Sequence, residues 1–270
     1  MKLHIVPAST GLLWVRQGIR VFWRQPMALT LLFFGAMATM SLLTLLPFIG
    51  AALALALLPS LTLTLMVAAT EANQGRTPMP SLLLVAFRAG RARLSAMLTL
   101  GGLYAAGFLL VIALSTLVDD GSFARVYLGG EPLTREIAAS GAFQGAMWLM
   151  LLLYLPLSLL FWHAPGLVYW HQVPPAKALF FSIVACWRNL GAFFLYGLAW
   201  MGVFLATGMV LSLVIALLSF AGLGPGFAGG AMVAGALALA TMLFTSVVFT
   251  FRDCFGPPQQ DEAGTGAAIP

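Results

Sequence analysis

The sequence predicts an all-α polytopic membrane protein with six transmembrane helices in three hairpins. Of its 270 residues, 61% are hydrophobic and 8% are charged, and the mean hydropathy is +0.99. A soluble domain has about 25% charged residues, so bilayer lipid is the expected solvent. Apolar stretches long enough to cross a bilayer recur along the chain. The basic residues gather at alternate ends of these stretches, as the positive-inside rule describes.

The predicted spans carry no Asp, Glu, Lys, Arg or His. Five of them are 27–46, 51–69, 94–118, 141–162 and 230–251, and the fifth along the chain lies within 190–220. Pro59 and Pro156 lie inside the second and fourth spans. Each removes a backbone hydrogen bond, so both are predicted to kink their helices. In the third span, Gly102 and Ala106 are four residues apart and predict a small-residue packing face.

A short amphipathic helix is predicted before each hairpin, at 11–25, 81–93 and 175–188. In the first, Arg16, Arg20 and Arg24 share one face, which is typical of a helix lying in the membrane interface. The alternative is an extension of the first span whose arginines only set orientation. The residues predicted to meet lipid headgroups or the interface are Arg16, Arg20, Arg24, Arg88, Arg91, Arg93, Lys177, Trp187 and Arg188.

The third amphipathic helix has the clearest two-sided pattern on a helical wheel. Its predicted polar side holds Lys177, Ser182, Arg188 and Asn189, and its predicted apolar side holds Leu179, Phe180, Ile183, Val184 and Trp187. With this division, the polar side is expected to face water and headgroups.

An internal repeat relates the three units. Aligning Arg24, Arg93 and Arg188 brings Gly11, Pro80 and Pro175 into register. This spacing predicts pseudo-repeats over 11–69, 80–162 and 175–251 within one membrane domain, 1–255, followed by a disordered tail, 256–270. Any hairpin protein repeats a basic edge, which explains the arginines but not the shared helix start.

The positive-inside rule sets the predicted orientation. With both termini in the cytoplasm, 11 of the 13 Lys and Arg residues lie inside, and Arg125 and Arg135 lie outside. The loop 119–140 is rich in glycine and is not expected to form a domain.

The chemistry of the chain is sparse. The lack of ionisable residues within the spans weighs against a pump, a proton-coupled transporter or an intramembrane protease. His163 and His171 lack ligand spacing and are expected at the interface without a catalytic role. Cys186 and Cys254 fit no metal or redox motif. We therefore expect no enzymatic activity, no catalytic residue, no cofactor and no metal, and no nucleic-acid partner.

The run 163–197 contains Ala164-Pro165, Leu167-Val168, Pro174-Pro175, Ala178-Leu179, Ser182 and Arg188-Asn189. In these residues, with further likeness at Arg16–Pro26 and Phe251–Phe255, the chain resembles a family of uncharacterised proteobacterial multi-span inner-membrane proteins. The resemblance implies a bacterial inner-membrane location and a helical fold. It implies no activity and carries over no binding residue.

Two functional hypotheses follow from these observations. The first is a non-enzymatic inner-membrane protein that organises or senses the membrane through anionic lipid, a protein partner or its own copies. The alternative is a transporter or permease-like protein for a neutral or amphipathic solute, because Pro59 and Pro156 break helices in the way some transporters use to build binding sites.

Overall fold

The computed structural model describes residues 2–220 and 225–256, and all regular structure within them is helical. The helices are α1 (Thr10–Arg24), α2 (Pro26–Thr44), α3 (Gly50–Asn73), α4 (Val85–Arg88), α5 (Arg91–Asp119), α6 (Ser122–Leu128), α7 (Arg135–Ala139), α8 (Gly141–Phe161), α9 (Ala164–His171), α10 (Pro175–Arg188), α11 (Leu190–Phe220) and α12 (Pro225–Phe255), with a 3₁₀ helix at Pro80–Leu84 before α4.

Six of these helices are long and apolar enough to cross a membrane, namely α2, α3, α5, α8, α11 and α12. They form the hairpins α2/α3, α5/α8 and α11/α12, which confirms the predicted fold class. Helices α11 and α12 have 31 residues each, a length of about 46 Å. Because a bilayer core is about 30 Å thick, both extend beyond it.

The two ends of the bundle are formed by different helix ends and loops. At the first, which we call the basic end, α3, α8 and α12 finish and α2, α5 and α11 begin. At the opposite end, α6 and α7 occupy the loop that was predicted to lack a folded domain. Asp119 accepts hydrogen bonds there from the backbone N–H groups of Gly121 and Phe123 at 3.0 and 2.5 Å. These bonds satisfy backbone donors at the start of α6 that have no partner within the helix.

The prediction of one continuous amphipathic helix at 81–93 is wrong. This stretch is divided into the 3₁₀ helix, the single turn of α4 and the first turn of α5, to which Arg91 and Arg93 belong. Gly90 lies between them at φ +91°, a backbone conformation that glycine adopts and that ends a right-handed helix.

Close packing between α3 and α5 depends on Gly101 rather than on Gly102. A Cβ at Gly101 would lie 2.2 Å from the Ala56 carbonyl oxygen, whereas one at Gly102 would meet nothing within 4 Å. Ala105 is buried and Ala106 is exposed. The predicted small-residue face is therefore wrong by one position, because composition does not show which side of an apolar helix meets protein.

Helix α1 packs between α11 and α12. A Cβ at Gly11 would lie 2.2 Å from the Ala192 carbonyl oxygen, and one at Gly18 would lie 2.4 Å from Ser246 Cβ. Trp14 is fully buried, and its indole N–H donates to Asp253 Oδ2 at 2.9 Å. One face of α1 is therefore covered by protein, whereas Leu12, Leu13 and Trp23 on the same helix are exposed.

Each hairpin follows a short helix or helical turn, in the order the sequence suggests. The equivalence of the three units stays a prediction. The predicted disordered tail lies outside the described residues except for Gly256.

Candidate functional site

Exposed cationic side chains are the first feature of the basic end. Six of the residues predicted to meet headgroups are exposed and take part in no ion pair among the described residues: Arg16, Arg20, Arg88, Arg91, Lys177 and Arg188. The ion pairs among the described residues are Arg125–Glu131 and Arg252–Asp253. We call the six exposed cationic residues named above the basic belt.

The other two predicted arginines have protein partners. Arg24 is exposed, but it donates to the carbonyl oxygen of Asn73 at 2.7 Å and to its Oδ1 at 3.1 Å, which joins α1 to the end of α3. The Arg93 guanidinium lies 5.4 Å from the centre of the Tyr169 ring, within cation–π range. These two residues therefore contribute to the packing of the basic end.

Helix α10 turns its small polar residues towards the protein interior, whereas the prediction placed them on the side that faces water. Ser182 and Asn189 are buried with Ala178, Ala185 and Cys186, whereas Phe180 and Trp187 are exposed, Trp187 by 71%. Lys177 and Arg188 remain exposed at the edge. The physical reason is the solvent: in a membrane protein, small residues pack closely between helices while large apolar and aromatic residues face lipid or its interface.

A buried polar cluster lies behind α10, with His163 at its centre. His163 is 0% exposed, so its expected place at the interface is wrong. Its backbone N–H donates to Ser182 Oγ at 2.9 Å, and the Ser182 hydroxyl donates to the Leu159 carbonyl at 2.7 Å. Its Nε2 lies 3.1 Å from Thr250 Oγ1. The cluster therefore joins the end of α8 to both α10 and α12.

The hydrogen bonds of Thr250 fix the imidazole tautomer. The single Thr250 hydroxyl hydrogen goes to the Val247 carbonyl at 2.7 Å, so its oxygen accepts from Trp162 Nε1 and from His163 Nε2, both at 3.1 Å. This leaves His163 Nδ1 as an acceptor, 3.9 Å from Cys186 Sγ.

The His163–Cys186 pair resembles a catalytic dyad in composition but not in setting. Burial raises the pKa of the Cys186 thiol well above its ordinary value, which keeps it protonated and a poor nucleophile. Both side chains are buried. The pair fits a structural role, closing the interior of the basic end.

Asn189 extends the cluster to the N-terminal segment. Its Oδ1 accepts from the Val6 backbone N–H at 2.8 Å, and its Nδ2 donates to the carbonyls of His4 and Ala185 at 3.2 and 3.0 Å. The His4 N–H also donates to the Cys254 carbonyl at 2.9 Å. Residues 4–6 are thereby held between α10 and α12.

The two predicted kink prolines lie within unbroken helices, α3 and α8. Pro59 lines a cavity of about 300 Å³ between α3, α5, α8 and α12, and Pro156 does not. Four hydroxyls share that lining: Thr62, Tyr104, Tyr154 and Ser158. Tyr104 and Tyr154 hydrogen-bond each other at 3.4 Å.

A second cavity, of about 540 Å³, opens between α8 and α11. Among the described residues, the backbone of α8 comes close to those of α11 and α12 at few points or none, although the ring of Trp162, just after α8, contacts Phe193 and Tyr196. We call this space the lateral cleft, and its lining is Leu155, Ser158, Leu159, Trp162, Phe193, Tyr196, Gly197, Trp200, Met201, Phe204, Leu205 and Leu243. Ser158, Trp162 and Leu243 also line the first cavity.

Comparison with known proteins places the chain. A probable inner membrane protein of Burkholderia thailandensis is 39% identical over 259 residues, which are 95% of this chain and 94% of that protein. The chain belongs to its family of inner-membrane proteins. No protein-family model and no solved structure matches. With the six long apolar helices, this match makes the chain a multi-pass inner-membrane protein, as the resemblance at 164–189 implied.

Sequence reasoning assigned Ser182 and Asn189 to a solvent-facing side because they share one side of the helical wheel with Lys177 and Arg188. A usable signal was present: Ala178, Ser182, Ala185 and Asn189 recur every three or four residues. Small residues at this spacing are typical of a helix–helix contact in a membrane. The lateral cleft has no comparable signal, because it depends on how two hairpins separate.

Proposed function

We propose that this protein is a non-enzymatic inner-membrane protein that binds anionic lipid headgroups at its basic end and organises the lipid around it. The basic belt carries the proposal. Anionic lipids attract basic residues near the membrane surface by about 1 kcal/mol for each Lys or Arg, and unpaired exposed cations retain that capacity.

The architecture of the basic end supports this role. The buried face of α1 packs on α11 and α12, while Arg16 and Arg20 stay exposed on its other side. The rigid attachment of α1 holds the two arginines one turn apart, so little conformational entropy is lost when headgroups bind. In this proposal the basic end and both termini face the cytoplasm, in keeping with the positive-inside rule.

The test is lipid selection by the full chain. We would reconstitute the protein in nanodiscs containing phosphatidylcholine and phosphatidylglycerol and count retained lipids by native mass spectrometry. We expect phosphatidylglycerol to be enriched, and the double variant Arg16→Gln/Arg20→Gln to lose much of that enrichment.

The matched control is Arg125→Gln/Arg135→Gln, which removes the same charge from the opposite end. Equal enrichment in all three proteins would refute headgroup binding by the belt. A stoichiometric protein partner or a homo-oligomer retaining no anionic lipid would favour organisation through protein contacts.

The first cavity favours a second candidate, a transporter or permease-like protein for a neutral or amphipathic solute. Its hydroxyls around Pro59 offer hydrogen bonds without charge. Vesicles containing the protein would then take up such a solute faster than empty vesicles, and Tyr104→Phe would change the rate. Equal uptake across a broad panel would count against transport.

A further inference from the structure

We propose that the lateral cleft is a binding site for one acyl chain of a phospholipid. The site is distinct from the basic belt and requires no anionic headgroup, so the proposal does not rest on the proposed function.

The position of the cleft identifies the occupant. The cleft separates α8 from α11, both of them candidate membrane spans, so its mouth opens towards lipid rather than water. Its lining is almost wholly apolar apart from Ser158, Tyr196 and two indoles. Water gains few hydrogen bonds in such a space, whereas an acyl chain makes dispersion contacts along its whole length. At about 540 Å³, the volume lies within the range of sites for small ligands.

Aromatic rings form the closed side of the cleft. Trp162 contacts Phe193 and Tyr196, each with ring centres 6.0 Å apart and nearly perpendicular planes. The Trp162 indole is held by Thr250, and the Tyr196 hydroxyl lies 2.6 Å from Ser246 Oγ. The rings are therefore fixed by the surrounding helices, and this end of the cleft is preorganised.

Trp200 extends this aromatic wall along α11. It lines the cleft and is 2% exposed, and its ring meets that of Tyr196 at 80° with ring centres 6.5 Å apart.

Gly197 gives the variant that tests the site. It lines the cleft, and a Cβ added there would meet nothing within 4 Å. Gly197→Leu therefore places a side chain in the cleft at a position where its Cβ meets no protein atom within 4 Å. The matched control is Gly202→Leu on the same helix, where a Cβ also meets nothing within 4 Å and which lies outside the cleft lining.

We would take the full chain from phosphatidylcholine nanodiscs into mild detergent and count retained lipids by native mass spectrometry. We expect one phosphatidylcholine to be retained by the native protein and by Gly202→Leu. Gly197→Leu should bind it roughly tenfold more weakly or worse, since filling the space removes the contacts of the chain. Equal retention by all three proteins would overturn the proposal.

A further arm identifies the ligand. Binding of a free fatty acid but not of phosphatidylcholine would overturn a phospholipid as the occupant.

Discussion

The two halves of the α11/α12 hairpin are similarly apolar and differ sharply in packing. Near the basic end, Trp200 and Phe251 are buried, and α1 lies between the two helices. Farther out, Leu213 is 61% exposed and Met209, Leu217 and Met232 are also exposed. The inner half is part of a packed core with hydrogen-bonded polar groups, and the outer half offers its side chains to lipid.

This contrast teaches where specificity resides in a chain with so few charges. The inner half is fixed by close backbone approaches and buried hydrogen bonds, which tolerate few alternatives. The outer half exposes most of its large apolar side chains. Substitutions should therefore have large effects at the basic end and small effects in the outer hairpin.

The largest effect is expected from Gly18→Leu. Its Cβ would lie 2.4 Å from Ser246 Cβ and 3.0 Å from the Met242 carbonyl oxygen, so α1 must move away from α12. We expect a loss of about 3 kcal/mol or more, because the backbone itself must shift. Thermal unfolding in detergent, followed by size-exclusion fluorescence, measures it. Gly208→Leu, where a Cβ meets nothing within 4 Å, should be stable; equal loss in both would remove the contrast.

Leu167→Ala should destabilise the protein by about 2–5 kcal/mol. Leu167 is 0% exposed in α9, and truncating a buried leucine leaves a cavity that its neighbours fill only in part. The same unfolding assay measures the effect. A change below about 0.5 kcal/mol, the size usual for surface sites, would show that the basic end is loosely packed.

Asn189→Ala should cost about 1–3 kcal/mol, since it leaves buried hydrogen-bonding groups without partners. It removes the acceptor of the Val6 N–H and the donor to the His4 carbonyl. Hydrogen exchange should accelerate at Val6 and little in α5. Unchanged protection at Val6 would mean that the N-terminal segment is held without Asn189.

The smallest effect is expected from Leu213→Ala, the matched counterpart of Leu167→Ala. Leu213 is 61% exposed, so its truncation opens no internal cavity and should change stability by less than about 0.5 kcal/mol. A loss as large as that of Leu167→Ala would show that the outer hairpin is covered by protein, which would point to a homo-oligomer.

Composition and the spacing of basic residues were enough to predict six membrane helices, their hairpin order and the exposed positions of Arg16, Arg20 and Arg188. These features depend on local properties: an apolar stretch of sufficient length must become a helix in lipid so that its backbone groups are bonded. Pro26 and Pro175, each at the first position of a helix, set boundaries for the same local reason.

Tertiary structure alone decided which face of each helix meets protein. An apolar residue suits lipid and core equally, so nothing in the sequence distinguished Gly101 from Gly102 as the contact with α3. The burial of His163 and Asn189 likewise required partners from α8, α10, α12 and the N-terminal segment, which are distant in sequence. The lateral cleft is decided in the same way, because it exists only where the packed hairpins separate.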